Sequence, residues 1–170
     1  MISPTHVQTM ARYNAWQNGS IYGAAATLPR EELTRDRGAF FGSILRTLNH
    51  LLWADGMWMS RFTDTVAKPD LAMSAALERF ASLEAIKPER DAMDAHISDW
   101  AAGITEDWLA SDLHWYSGAA QRDMVSPAWF CVTHFFNHQT HHRGQIHAML
   151  TAAGAKPDDT DLFLMGEKLR

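Results

Sequence analysis

Between Ser126-Pro127 and Gly154 the chain has a helix start at one end and a helix stop at the other. The serine offers an N-cap oxygen, the proline suits the first helical position, and glycine takes the left-handed conformation just past a last turn. The stretch predicts one long helix. Ser3-Pro4 starts another, carrying Val7, Met10, Tyr13, Trp16, Ile21 and Leu28 and ending at Pro29. Arg30–Gly38 is charged and reads as a connection. A second helix is expected from about Phe40 to Phe62, where Phe41, Ile44, Leu45, Leu48, Leu51 and Leu52 form a broad apolar face. Lys68-Pro69-Asp70 breaks the chain, and Ser74–Leu83 holds good helix formers. Pro88 then suggests a fresh start, giving a helix from about Pro88 to Ala102 with Met93, Ile97 and Trp100. Gly103–Val125, with Trp108, Leu109, Leu113, Trp115 and Tyr116, reads as an irregular loop or short hairpin. Residues 155–170 form a tail with Pro157, Asp158, Asp159 and Asp161. Four main helices without a multi-stranded pattern predict an all-α fold: one four-helix bundle domain over residues 1–170, with a loop or hairpin before the last helix.

Charge and cysteine content narrow the function. Fifteen Lys+Arg against twenty Asp+Glu give a net charge of -5, which argues against a nucleic-acid partner that must neutralise phosphates. The single cysteine, Cys131, excludes an intrachain disulfide and a Cys-rich metal site. No apolar run approaches the roughly 18–20 residues of a membrane span. The first residues lack the pattern of a signal peptide, so no membrane association and a cytoplasmic location are expected.

Five of the nine histidines fall between residues 134 and 147. At 100° per residue, with His138 as zero, His142 lies at about +40°, His134 at about -40° and Gln145 at about -20°. His141 is near -60° and Cys131 near +20°, while His147 points to the opposite side at about 180°. One face of the helix thus carries a ladder of imidazoles. Two histidines at i and i+4 can share one transition-metal ion, and both His138–His142 and His134–His138 have that spacing. Cys131 is on the stripe but roughly 10 Å from His138 by helical rise, too far to join as a ligand.

A further ligand must come from elsewhere, and His50 is the best placed. It lies mid-helix beside Ser43, Thr47, Ala54 and Met57, a small and partly polar strip. Periodicity alone leaves it open between a ligand and a hydrogen-bonded residue at the helix margin.

The strings His50-Leu-Leu-Trp53-Ala54-Asp55-Gly-Met-Trp58-Met-Ser-Arg61 and Asn137-His138-Gln-Thr-His141-His142-Arg143-Gly144-Gln145 resemble the DinB-like (damage-inducible, YfiT-related) family. So do Tyr13-Asn14-Ala15-Trp16 near the start and Gly154-Ala-Lys-Pro157-Asp-Asp-Thr-Asp161-Leu162 near the end. The resemblance implies a four-helix bundle, often a homodimer, with a metal held by three histidines. By motif match these are His50, His138 and His142. It implies one divalent transition metal per chain, zinc or nickel. His134 and His141 are extra imidazoles beside the motif pair.

Three neutral histidines leave a divalent ion with open positions, as in catalytic zinc sites. Some relatives look like thiol transferases, in which the metal activates a small thiol against an electrophile. The expected function is therefore a metal-dependent thiol transferase or hydrolase. The alternative is a non-catalytic metal-binding or sensing module of the stress response. Asp55 lies about 140° from His50 on the wheel and should not face the metal. Arg143, about 100° from His142, should form an interhelical ion pair or contact a substrate anion. The expected pocket is lined by Trp108–Tyr116 and by the tail at Asp158–Leu162, and the tryptophans 53, 58, 100, 108, 115 and 129 are expected in its walls or in the core.

Overall fold

The structure is a computed structural model that describes residues 1–118 and 120–168. The end of the expected tail, residues 169–170, lies outside the described residues. Four long helices carry the fold: α1 (Pro4–Ala25), α3 (Ile44–Phe62), α5 (Leu83–Ala102) and α7 (Ala128–Ala152). Between them lie the short helices α2 (Arg30–Thr34), α4 (Met73–Ala76) and α6 (Glu106–Ala110), and the strands β1 (Asp112–Ser117) and β2 (Arg122–Pro127). A 3-10 turn, Leu162–Leu164, leads into α8 (Met165–Lys168). Helices α1 and α3 each pack against both α5 and α7, so α1 and α3 occupy opposite corners of a four-helix bundle.

The helix ends follow local chemistry, and the starts of α3, α5 and α7 differ from the sequence expectation. Ser3 caps α1 by accepting from the His6 amide, as its position before Pro4 predicts. The charged connection contains α2, one short turn of helix that buries Leu33. Helix α3 begins at Ile44 rather than near Phe40. Gly42 has φ +82, which ends any helical path there, and Ser43 then caps the helix by accepting from the Arg46 amide. Helix α5 begins at Leu83, capped by Ser82, and runs through Pro88. Pro88 and Glu84 are both exposed, so the Glu84 carbonyl that loses its helical partner faces water, which makes the proline tolerable. Helix α7 starts at Ala128, because β2 extends through Ser126 to Pro127, which then stands at the N-cap rather than the first helical position. Its far end is as expected. Gly154 has φ +87, and the amides of Gly154 and Ala155 donate to the carbonyls of Thr151 and Leu150, a Schellman closure. The region before α7 is the antiparallel hairpin β1–β2, with Trp115 opposite Met124.

The apolar interior is split in two. Ile21, Leu45, Leu48, Leu52, Ile86, Ile146 and Leu150 fill one end of the bundle. Val7, Met59, Phe62, Ile97, Leu109, Val132 and Phe135 fill the other. Between them every long helix contributes buried polar groups: Asn14 and Asn18 from α1, Asp55 from α3, Arg90 and Asp94 from α5, Gln139 and Arg143 from α7. Arg90 Nη1 meets Asp55 Oδ2 at 2.6 Å and Arg90 Nη2 meets Asp94 Oδ1 at 2.9 Å. Asn14 and Asn18 donate to Asp94, and Arg143 donates to Asn14. Two buried arginines and two buried carboxylates balance in charge at this waist, which is how buried ions are tolerated. Burial raises the pKa of Asp55 and Asp94 while Arg90 opposes it.

Candidate metal centre

The waist also fixes the level of the histidines. His50 of α3 follows the Ser43 cap by two turns, and His138 and His142 of α7 flank the buried Gln139. One ring nitrogen from each of His50, His138 and His142 lies within 4.8 Å of the other two. His50 Nε2 and His138 Nε2 are 3.3 Å apart. Two nitrogens bound to one tetrahedral zinc at about 2.0–2.1 Å stand about 3.3–3.4 Å from each other, so this spacing suits a shared ion.

The rings are electrically suited to ligation. Burial pushes the pKa of His50 down to about 4, with help from neighbouring His142. Burial, then His142 and His50, push His138 down to about 3. Burial lowers His142 as well, while its bond to Gln145 opposes the fall. All three are neutral near pH 7 and present a lone pair, as a metal requires. His142 Nδ1 lies 2.9 Å from Gln145 Oε1 and donates to it, which leaves Nε2 as the lone-pair nitrogen. Gln145 Nε2 reaches His141 Nε2 at 3.2 Å, so the exposed His141 props the glutamine. Among the described residues, Nδ1 of His50 and of His138 is buried without a hydrogen-bond partner. Those rings are held by packing: Phe41 stacks on His50 at 4.0 Å between centroids. The late start of α3 matters here, because Phe41 belongs to the preceding turn and its ring lies over the site.

The other expected residues are distributed around this centre. His134 stands one turn from His138, rings 5.8 Å apart, and contacts Trp58 at 5.0 Å. It is outside the three-nitrogen cluster, so the i,i+4 pair at the cluster is His138–His142. Asp55 turns inward to Arg90, as the wheel predicts. The ion pair expected of Arg143 is replaced by a hydrogen bond to Asn14 on α1, because the carboxylate of Asp94 is reached through that asparagine. Burial pulls the pKa of Arg143 down to about 10. Cys131 is buried in the second apolar cluster. Of the tryptophans, Trp58, Trp100, Trp108, Trp115 and Trp129 pack on that same cluster, while Trp53 donates to the Leu71 carbonyl at 2.9 Å.

Of the two segments expected to line the site, the hairpin reaches as far as Trp58, the ring beside His134, through Trp115. The tail does not. Asp158, Asp159 and Thr160 are hydrogen-bonded to Ser20, Gln17 and Tyr13 of α1, beside a 270 Å³ groove that Arg143 and His147 also line. Residues 158–160 therefore lie on the His147 side of α7, away from the ladder. Sequence reasoning missed Phe41, counted as part of a helical face, and the waist. A signal for the waist existed: Ile86, Arg90, Asp94 and Ile97 continue one helical stripe, so its two charges had to be buried.

No helix among the described residues is long and apolar enough to cross a membrane. The chain is 25% identical to Protein DinB of Bacillus subtilis (strain 168) over 158 residues, 92% of each protein. The crystal structure of a DinB-like protein from Bacillus cereus ATCC 10987 superposes with a TM-score of 0.63, at 17% identity, covering 85% of this chain and 90% of that one, and shows the same fold. Residues 1–168 match the DinB family, and the chain belongs to it.

Proposed function

We propose that the protein holds one divalent transition metal, zinc or nickel, at His50, His138 and His142, and serves as a metal-dependent transferase for a small thiol. The observation that carries this reading is the convergence of three neutral imidazoles from two helices on one point. Bound there, a divalent ion supplies a Lewis acid that keeps a thiol, or in a hydrolase a water, deprotonated near neutral pH. The protein's own residues do the rest. Gln145 fixes the tautomer of His142, and Phe41 fixes the plane of His50. His138 is half-buried and His134 beside it is exposed, so this is the side from which a small molecule approaches. Burial and Arg61 lower the pKa of His134, leaving a neutral imidazole that can accept a proton.

The reading includes a homodimer formed through α3 and α7. It is supported by the exposed aromatic rings of Phe130 on α7, Phe40 in the turn before α3 and Tyr116 on β1, and by the enrichment of such residues at interfaces. A non-catalytic metal-binding or sensing role is favoured by one observation: Asp55, the carboxylate nearest His50 in sequence, is committed to Arg90. Metal analysis of untagged protein followed by a thiol-transfer screen, with and without chelator, separates the two. Chelator-sensitive transfer supports the enzyme. Stoichiometric metal without transfer across the screen supports the sensing module.

A further inference from the structure

Arg61 sits at the end of a line of rings that begins at the metal centre. It is eleven residues past His50, which brings it to within about 20° of the same face of α3, three turns along. From His138 the line runs to His134 at 5.8 Å and on to Trp58 at 5.0 Å, and the Arg61 guanidinium lies 4.5 Å above the Trp58 ring. The Trp115 ring of the hairpin stands 5.8 Å from the same guanidinium. Among the described residues, no carboxylate pairs with Arg61; the ionisable groups whose charge it influences are His134 and the buried Cys131. A guanidinium packed on two neighbouring indoles, without a carboxylate partner, is positioned to accept an anion on its free side.

We propose that Arg61 is the anion-binding end of the metal site, so that the thiol or electrophile taken there carries a carboxylate up to about 15 Å from its metal-facing atom. This rests on the reading of the three histidines as a site for small thiols. Between the two ends the surface is formed by Trp58, His134 and the half-buried Met57, which suits a slim, largely apolar or peptide-like spacer. A chain of about four to five extended residues has the required reach. The hairpin thereby gains a role, since its Trp115 ring packs beside both the guanidinium and Trp58.

The test uses cobalt(II)-loaded protein, in which thiolate binding is read from the charge-transfer absorption. Mercaptoundecanoate is compared with mercaptoundecanol, and mercaptoacetate with mercaptoethanol. The long acid should bind about tenfold more tightly than the long alcohol at low salt, and the short pair should not differ in this way. R61Q should abolish the preference and leave the alcohol's affinity unchanged, while R61K retains part of it. Equal binding of the long pair by the wild type, or a preference that survives in R61Q, overturns the proposal. The carboxylate end is also read without thiol chemistry or mutation: octanoate, but not octanol, should move the Arg61 Nε–H resonance. An unmoved resonance overturns the proposal whatever the thiols do. Absence of any thiolate band with a responsive resonance sinks the thiol reading instead and leaves the anion site standing.

Discussion

Replacing Arg90 with methionine should be among the most damaging single changes available in this chain. The Arg90 side chain is 2% exposed and bridges Asp55, at 1%, and Asp94, at 11%. Methionine fills similar volume but leaves both carboxylates buried without their cation. Breaking such a pair from one side costs about 3–5 kcal/mol. For a chain of this size, where each kcal/mol moves Tm by about 2–4 °C, Tm should fall by roughly 6–20 °C. The effect should also depend on pH. Burial already raises the Asp55 and Asp94 pKa values against the pull of Arg90, and without it they rise further. A carboxyl with a raised folded pKa favours the native state when protonated, so the R90M deficit should shrink as pH falls through that pKa and be full above it. Urea unfolding of metal-free protein followed by circular dichroism, at neutral pH and near pH 5, measures both quantities. A loss below about 1 kcal/mol at neutral pH would refute the view that these charges are mutually compensated in the interior.

Three further outcomes follow from the same geometry. Gln145→Ala removes the acceptor for His142 Nδ1 and should weaken metal affinity about 10–100-fold in a competition with a chromogenic chelator, with helix content unchanged. In metal-free protein, His50 and His138 have folded pKa values of about 4 and about 3 against an ordinary 6.5, so the native state binds fewer protons than the unfolded chain. Stability should be level above about pH 7 and fall as pH drops from 6.5 toward 4, measured by denaturation across that range. Chelation should leave the helical circular dichroism intact at room temperature, because two apolar clusters and the charged waist, not the ion, hold the bundle.

The long helices were legible because apolar periodicity and caps report directly on local structure. Ser3-Pro4 and Gly154 act as their residue types predict. The errors came where two local signals competed. Phe40 and Phe41 extend the apolar pattern of α3, but Gly42 and Ser43 supply a turn and a cap that end it earlier. Pro88 reads as a helix start, yet Ser82 offers the better cap and the proline falls on the wet side. The site was legible in part for the same reason. The spacing of His138 and His142 is a property of one helix, whereas the meeting with His50, 88 residues away, is tertiary and came from family resemblance. The waist was missed because Arg90, Asp94 and Arg143 look singly like surface charges; the stripe shared with Ile86 and Ile97 marks Arg90 and Asp94 as buried, but their partners on the other helices are tertiary.

The central claim is that His50, His138 and His142 hold one ion between them. Its most direct test is metal content, per chain, of untagged wild-type protein and of H50A, H134A, H138A and H142A. The geometry predicts one ion in the wild type and in H134A, and loss of most of it in the other three. Retention in H50A together with loss in H134A would place the ion on the His134–His138 pair and contradict the account.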